Sequence, residues 1–294
     1  MTRNSKMKIL ILGGNGMLGH ELLNELSDFH EVRATIRGDI DIEEKLLNDC
    51  YIYSGINLSH IESLLPVISD FRPNVIVNAA GVVKQRKEGQ NALPNLEINA
   101  LLPHRLADIC SAIGARLIHI STDCVFSGDR GNYSELDLPS PIDIYGHAKL
   151  LGETTGAGII TLRTSIVGLE LSRKGGLVEW FLSQNNEIEG YRHAIFSGLT
   201  TLELSRIIRR LLEQFPDASG LYHLGGDAIS KYEFLVMLRD AVRPDVKIIE
   251  NKKFHCNRSL NSMRFYDKFD YYPPSWCNMI EELSQRIIKR EKIL

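Results

Sequence analysis

Tyr145 and Lys149 stand four residues apart in the stretch YGHAKLLGE, 145–153. On a helix that spacing puts a weak acid and a cation on one face, one turn apart. Such a pair can move a proton. A free phenol ionises near pH 10, and bringing it to about 7 takes roughly 4 kcal/mol. One cation about 4–6 Å away, at an effective dielectric near 20, supplies about 3–4 kcal/mol. By itself the pair is better explained by a solvated helix face, so the rest of the chain has to decide.

The turn GGNGMLG follows the first aliphatic run and opens the first helical pattern. Gly13, Gly16 and Gly19 give the spacing GxxGxxG. A backbone that must approach a pyrophosphate at a helix N-terminus needs such glycines, because free N–H groups and the helix dipole favour an anion there. A glycine at Gly19 lets the helix pack tightly on its strand. The position beginning strand–turn–helix makes this a dinucleotide signal. The second strand ends in ATIRGD, so Arg37 is placed to fork onto a 2′-phosphate, whereas Asp39 suits a ribose 2′-hydroxyl. NADPH is therefore the expected cofactor, with NADH the alternative that Asp39 keeps open.

A hydroxyl to hold a substrate oxygen is offered by IHISTDCVFSG, where Ser121 or Thr122 follows the fifth strand at the ligand-binding edge of an open α/β sheet. Lys84 and Arg86, after the fourth strand, face the same edge. They are candidates to touch a substrate, as against a solvated loop. No cluster of His, Cys and carboxylates has metal-site spacing.

The elements needed to position these groups are written in alternation. MKILIL (7–12), EVRATI (31–36), NVIVNAAG (74–81), ARLIHIS (115–121), GIITLRTS (158–165) and GLYHLGG (220–226) read as strands. Helical patterns lie between them, notably 17–26, 58–71 and 91–113. Continuous apolar strands separated by helices imply a parallel sheet covered on both faces. Helices are expected to dominate 176–215 and 230–242, with an amphipathic helix closing the chain. The fold class is α/β, a Rossmann-type doubly wound parallel sheet with a smaller C-terminal substrate-binding lobe. The dinucleotide domain is assigned to 1–165 plus 194–226 and the lobe to 166–193 plus 227–294. The 294 residues carry a net charge of −3, which gives no reason to expect nucleic acid or an acidic membrane as partner. Five scattered cysteines without a CxxC argue against a disulfide framework. No apolar run reaches the length of a membrane span. A cytoplasmic location is expected.

A dinucleotide fold with a later Tyr-x-x-x-Lys resembles the extended short-chain dehydrogenase/reductases. VNAAG, INA, ISTDCVFSG, YGHAKLLGE, LRTSIVG and GLYHLGG fall in the order and spacing of the dTDP-4-dehydrorhamnose reductase family. That resemblance implies an NAD(P)H-dependent reduction of a 4-keto group on a nucleotide-activated deoxysugar, for a surface polysaccharide or similar glycan. It implies Thr122, Tyr145 and Lys149 as the catalytic set, with Tyr145 and Lys149 also touching the cofactor. It further implies Asn15, Gly16, Met17, Leu18, Asn57, Leu58, Ala79, Ala80 and Gly81 as dinucleotide-lining residues. Asn99 matches an asparagine that braces the sheet in the superfamily. Arg258, in the expected lobe, is a candidate to hold the nucleotide diphosphate, and Lys84, Asp123 and Cys124 to meet the sugar.

The sequence also departs from that family. Rhamnose-type reductases show an aromatic residue where Cys124 stands, and RTSWVY where this chain has RTSIVG, so the reaction carries over better than the sugar. A 4,6-dehydratase needs an Asp–Glu pair, and here Asp123 is followed by Cys124. Cys124 resembles the cysteine of GDP-fucose synthase, which makes a bifunctional 3,5-epimerase/4-reductase one rival; a buried packing cysteine is the plainer reading. A non-catalytic dinucleotide-binding subunit, like the regulatory subunit of methionine adenosyltransferase, is the other rival. The expected partners are a nucleotide sugar and a second copy of the chain.

Overall fold

The computed structural model describes residues 6–38, 51–83, 90–171 and 175–291. Its centre is a seven-stranded sheet built from β1 (Lys8–Leu12), β2 (Glu31–Thr35), β3 (Tyr51–Tyr53), β4 (Val75–Asn78), β5 (Arg116–Thr122), β6 (Ile159–Thr164) and β10 (Gly220–His223). The strand order is β10-β6-β5-β4-β1-β2-β3, and every pairing is parallel. The order reverses between β1 and β4, the point at which an open α/β sheet leaves a crevice at its carboxyl edge.

The aliphatic runs are continuous because both faces are covered. Ile9 and Ile11 of β1 belong to the core shared with α1 (Met17–Ser27) and α7 (Thr201–Gln214). Leu10 and Leu12 belong to the core shared with α2 (Leu65–Phe71) and α4 (Leu102–Ile113). The period-two alternation of a strand thus feeds two separate cores. The long helix expected over 91–113 is one rod with a change of winding. It begins as α3 (Ala92–Pro94), widens into a π-helix over Asn95–Leu101, and continues as α4.

Next to the main sheet lies a three-stranded sheet, β11-β8-β12, made of β8 (Glu187–Phe196), β11 (Ile229–Ser230) and β12 (Lys247–Asn257). The helical reading of 176–215 is corrected here. Only α6 (Leu177–Leu182) and α7 are helical, with β8 and the short β9 (Leu199–Thr200) between them. In β8 the residues Ile188, Gly190, Ala194 and Phe196 are buried, which is the alternation of a half-covered strand. The strand runs past residue 194, so the chain's return to the main sheet comes later, through α7 and β10. The short β7 (Ile166–Val167) pairs with β9. Behind the small sheet, Phe196, Phe234 of α8 (Lys231–Val242) and Trp276 of α10 (Trp276–Glu291) meet edge to face. The helices α5 (Ile144–Leu151) and α9 (Met263–Phe269) complete the set. No helix among the described residues is long and apolar enough to cross a membrane.

Candidate active site

The glycine turn sits at the switch point. Gly13 has φ of +85°, a conformation that a side chain disfavours, and a methyl group there would lie 3.1 Å from the Cα of Ala80. Ala80 follows β4, so the loops after β1 and β4 meet across the crevice. A methyl group on Gly19 would come 2.0 Å from the carbonyl oxygen of Gly13. The expected tight packing of helix on turn is therefore present. Gly16 caps α1 with extended backbone and no side-chain bond. Asn15, Met17 and Leu18 thus stand at a helix N-terminus whose first amides have no partner within the helix. The turn closes this tightly on α1 and on Ala80 only because these positions lack a Cβ.

Arg37 is exposed just beyond β2, while Asp39 lies outside the described residues. The half-buried Asn57 and Leu58 lie alongside: the Ile56 amide bonds the Ile36 carbonyl, and Asn57 turns its own backbone by accepting from the Ser59 amide at 3.2 Å. After β4, Ala79, Ala80 and Gly81 are half-buried along the crevice. The next residue, Val82, is held by Asn99 through both backbone groups, at 3.1 Å from its N–H and 2.8 Å to its carbonyl. The π-helix presents Asn99, and Asn95 one turn earlier accepts from it at 2.9 Å. Lys84 and Arg86 lie outside the described residues.

The three relay residues come together from one strand and one helix. Thr122 ends β5, and its hydroxyl acts on the phenol of Tyr145, favouring the ionised form. Thr122 also accepts from the Cys124 amide at 3.1 Å, which fixes its rotamer. Asp143 caps α5 by accepting from the Gly146 amide at 2.8 Å. A methyl group on Gly146 would lie 2.4 Å from the Cys124 carbonyl oxygen, so the glycine after Tyr145 lets α5 press against the exit of β5. One turn on, the buried Lys149 donates to the Ile120 carbonyl at 2.7 Å. A methyl group on Gly81 would lie 3.8 Å from its ammonium, so Lys149 borders the dinucleotide crevice.

One electrostatic expectation is overturned. The Tyr145 phenol is pushed up, not down: burial comes first, followed by the negative fields of Cys124, Asp123 and Asp143, while the Thr122 hydroxyl opposes them. The ammonium of Lys149 is directed at a strand carbonyl and is itself pulled down to about 8 by burial, against the pull of Glu153. Tyr145 is thus held as a neutral phenol. His119, under Lys149, is held neutral by burial and by that ammonium.

Cys124 is half-buried, and the Nη1 of Arg258 lies 3.4 Å from its sulfur. Arg258 reaches across from the end of β12. It also donates to the Phe126 carbonyl at 2.9 Å and to the Ser127 carbonyl at 3.3 Å. Burial works against its charge, but Cys124, Cys256, Asp123 and Asp143 hold its pKa above the usual value. Arg258 therefore braces the exit of β5 with all three nitrogens, and only its remaining N–H groups are left for a diphosphate. Buried Asp123 is raised by desolvation, with Arg258 opposing. Sequence reading passed over two further groups. Asp143 is a cap legible from an acid placed just before a helix; Glu153 closes the motif at a position whose spacing announces no role. Among the described residues no three His, Cys, Asp or Glu side chains are grouped to hold a metal.

Comparison with known proteins returns two kinds of relative. The profile of a family described as RmlD substrate binding domain matches residues 7–283. The dTDP-4-dehydrorhamnose reductase of Aggregatibacter actinomycetemcomitans is 27% identical over 304 residues, spanning 94% of this chain and 98% of that protein. Methionine adenosyltransferase 2 subunit beta of Rattus norvegicus is 28% identical over 251 residues, spanning 80% of this chain and 72% of that protein. The crystal structure of a dTDP-4-dehydrorhamnose reductase from Bacillus anthracis str. Ames in complex with NADP superposes with a TM-score of 0.76 at 23% identity, over 95% of this chain and 99% of that one. At that identity the likeness shows the fold alone.

Proposed function

This chain belongs to the RmlD substrate binding domain family, and from that premise we propose that it is an NADPH-dependent reductase of the 4-keto group of a nucleotide-linked 6-deoxysugar. The observation that carries the reading is the convergence of Thr122, Tyr145 and Lys149 at the carboxyl edge of the sheet, where Thr122 ends β5 beside the phenol and Lys149, one turn below, holds the Ile120 carbonyl at 2.7 Å. Reduction of a ketone consumes a proton, and a phenol held above its usual pKa is a donor. When bound, the reduced nicotinamide supplies hydride to the carbonyl carbon. Tyr145 gives its proton to the carbonyl oxygen, Thr122 steadies that oxygen and the phenol, and the charge of Lys149 favours the phenolate that results. The glycine cradle at Gly13 and Gly16, the α1 N-terminus and the Ala79–Gly81 edge hold the dinucleotide, and Arg37 is the residue that reads its 2′-phosphate. Asp123, Cys124 and Arg258 border the sugar. The same reading places the chain in the cytoplasm, where NADPH and nucleotide sugars are available, and includes a homodimer.

A second reading, a non-catalytic regulatory subunit, is favoured by the similarity to methionine adenosyltransferase 2 subunit beta. The two separate in one assay. Absorbance of NADPH is followed with dTDP-4-dehydrorhamnose and other nucleotide 4-keto sugars. We expect oxidation by the wild type and, for Tyr145→Phe, a loss of about 10²–10⁴ in kcat with NADPH affinity kept within a few-fold. A mutant retaining more than about a tenth of the rate would remove Tyr145 from the relay. NADPH binding without oxidation of any keto sugar would favour the regulatory reading.

A further inference from the structure

Three successive residues of β5 are gripped by three residues of one helical segment spaced four apart. Lys149 bonds the carbonyl of Ile120 at 2.7 Å, Glu153 accepts from the hydroxyl of Ser121 at 2.7 Å, and Tyr145 stands beside the hydroxyl of Thr122. Glu153 lies just past the end of α5. It is brought inward because Gly152 lets the backbone touch the π-helix: a methyl group there would lie 1.9 Å from the Asn99 carbonyl oxygen.

A buried carboxylate needs compensation. Arg163 of β6 supplies it with two parallel bonds, Nε and Nη2 each 2.7 Å from an oxygen of Glu153, and both side chains are nearly inaccessible. The remaining Nη1 donates to Nε2 of His223 in β10 at 3.1 Å, and the other ring nitrogen bonds the Tyr133 carbonyl at 2.9 Å. That tautomer keeps His223 neutral. The carboxylate thus accepts three hydrogen bonds, one from Ser121 and two from Arg163.

We propose that Glu153 is a positioning residue of the reduction that acts through Lys149: its bonds to Ser121 of β5 and Arg163 of β6 lock the end of α5 against the sheet. The inference rests on the reductase reading. The groups around Lys149 agree with it. Tyr145 on its own helix is a neutral phenol, His119 from β5 is neutral, and Asn99 from the π-helix carries no charge. His104 of α4 acts on His119. Glu153 is the charge that opposes the burial of Lys149, with Arg163 behind it.

The test compares Glu153→Gln with Glu153→Asp and with the double variant Glu153→Gln/Arg163→Gln, which removes both buried charges and guards against a misfolded single mutant. Two readouts are taken from about pH 6 to 10: kcat with dTDP-4-dehydrorhamnose, and NADPH affinity by fluorescence without substrate. Wild-type kcat should fall along an alkaline limb set by Lys149, near 8. In Glu153→Gln and in the double variant that limb should move down by about one pH unit in both readouts, while Glu153→Asp keeps it within about half that distance. A merely structural carboxylate would lower kcat equally at all pH values and leave the limb in place, and that result in a folded variant overturns the inference. A wild type that binds NADPH but oxidises none refutes the reductase reading, and the binding limb still decides the role of Glu153.

Discussion

At the scale of single residues, the site works by setting groups against their solution preferences. Tyr145 stays a neutral phenol and Lys149 is pulled down to about 8, so each is conditioned by what surrounds it. Arg37 is the contrasting case, an exposed cation at the end of β2 whose value depends on what binds beside it. A charge-assisted bond to a 2′-phosphate is worth roughly 1–3 kcal/mol. Arg37→Ala should therefore weaken NADPH binding by that amount and leave NADH nearly unchanged, as read by titrating both cofactors. Equal loss for the two would show that Arg37 does not read the phosphate. The glycine turn and the Tyr145–Lys149 spacing could be read as local objects, but the meaning of the pair came only with the fold and the family resemblance. Arg258 on Cys124 was not, since 134 residues separate them and only the fold of β12 brings them together.

At the scale of elements, the site depends on how closely α5 approaches the exit of β5. Gly146 is the contact, and Gly146→Ala would drive a methyl group into the Cys124 carbonyl. The helix must shift to relieve it, and a displacement of about 1 Å near the reacting groups can cost 10²-fold in rate. We expect kcat to fall by at least about that factor with KM little changed, alongside a loss of roughly 1–3 kcal/mol in thermal unfolding. Normal turnover in Gly146→Ala would mean that this contact does not set the position of Tyr145. The parallel strands were readable because burial on both faces writes an unbroken aliphatic run. β8 was misread because EIEGYRHAIF has one covered face, and its glycine, charges and alanine blur the alternation. The π-helix could not be seen either: one extra residue in a turn hardly disturbs a helical period, yet it sets where Asn95 and Asn99 point.

At the scale of the whole molecule, the buried network behind the site ties distant parts of the chain into one acid-sensitive unit. Burial, assisted by Arg163, pulls His223 down to about 4. A histidine with a lowered native pKa is neutral in the fold but takes a proton in the unfolded chain below about 6.5. The unfolded state therefore binds more protons as pH falls from about 6.5 to 4, and stability drops by up to about 3 kcal/mol over that window. Urea midpoints at pH 7 and 4.5 should show the fall, and His223→Gln should flatten it; an equal fall in the variant would place the acid sensitivity elsewhere. The strand that carries His223 has a further consequence. β10 pairs with β6, whose residues are all buried, yet it is donated from beyond β7, α6, β8, β9 and α7. During synthesis, every chain that ends before Gly220 offers β6 as a bare, apolar edge and leaves the Glu153–Arg163 pair without its histidine. Exposed strand edges of this kind recruit other chains. The interval between making β6 and making β10, some sixty residues of translation, is thus when this protein is most open to joining a neighbour's sheet instead of its own.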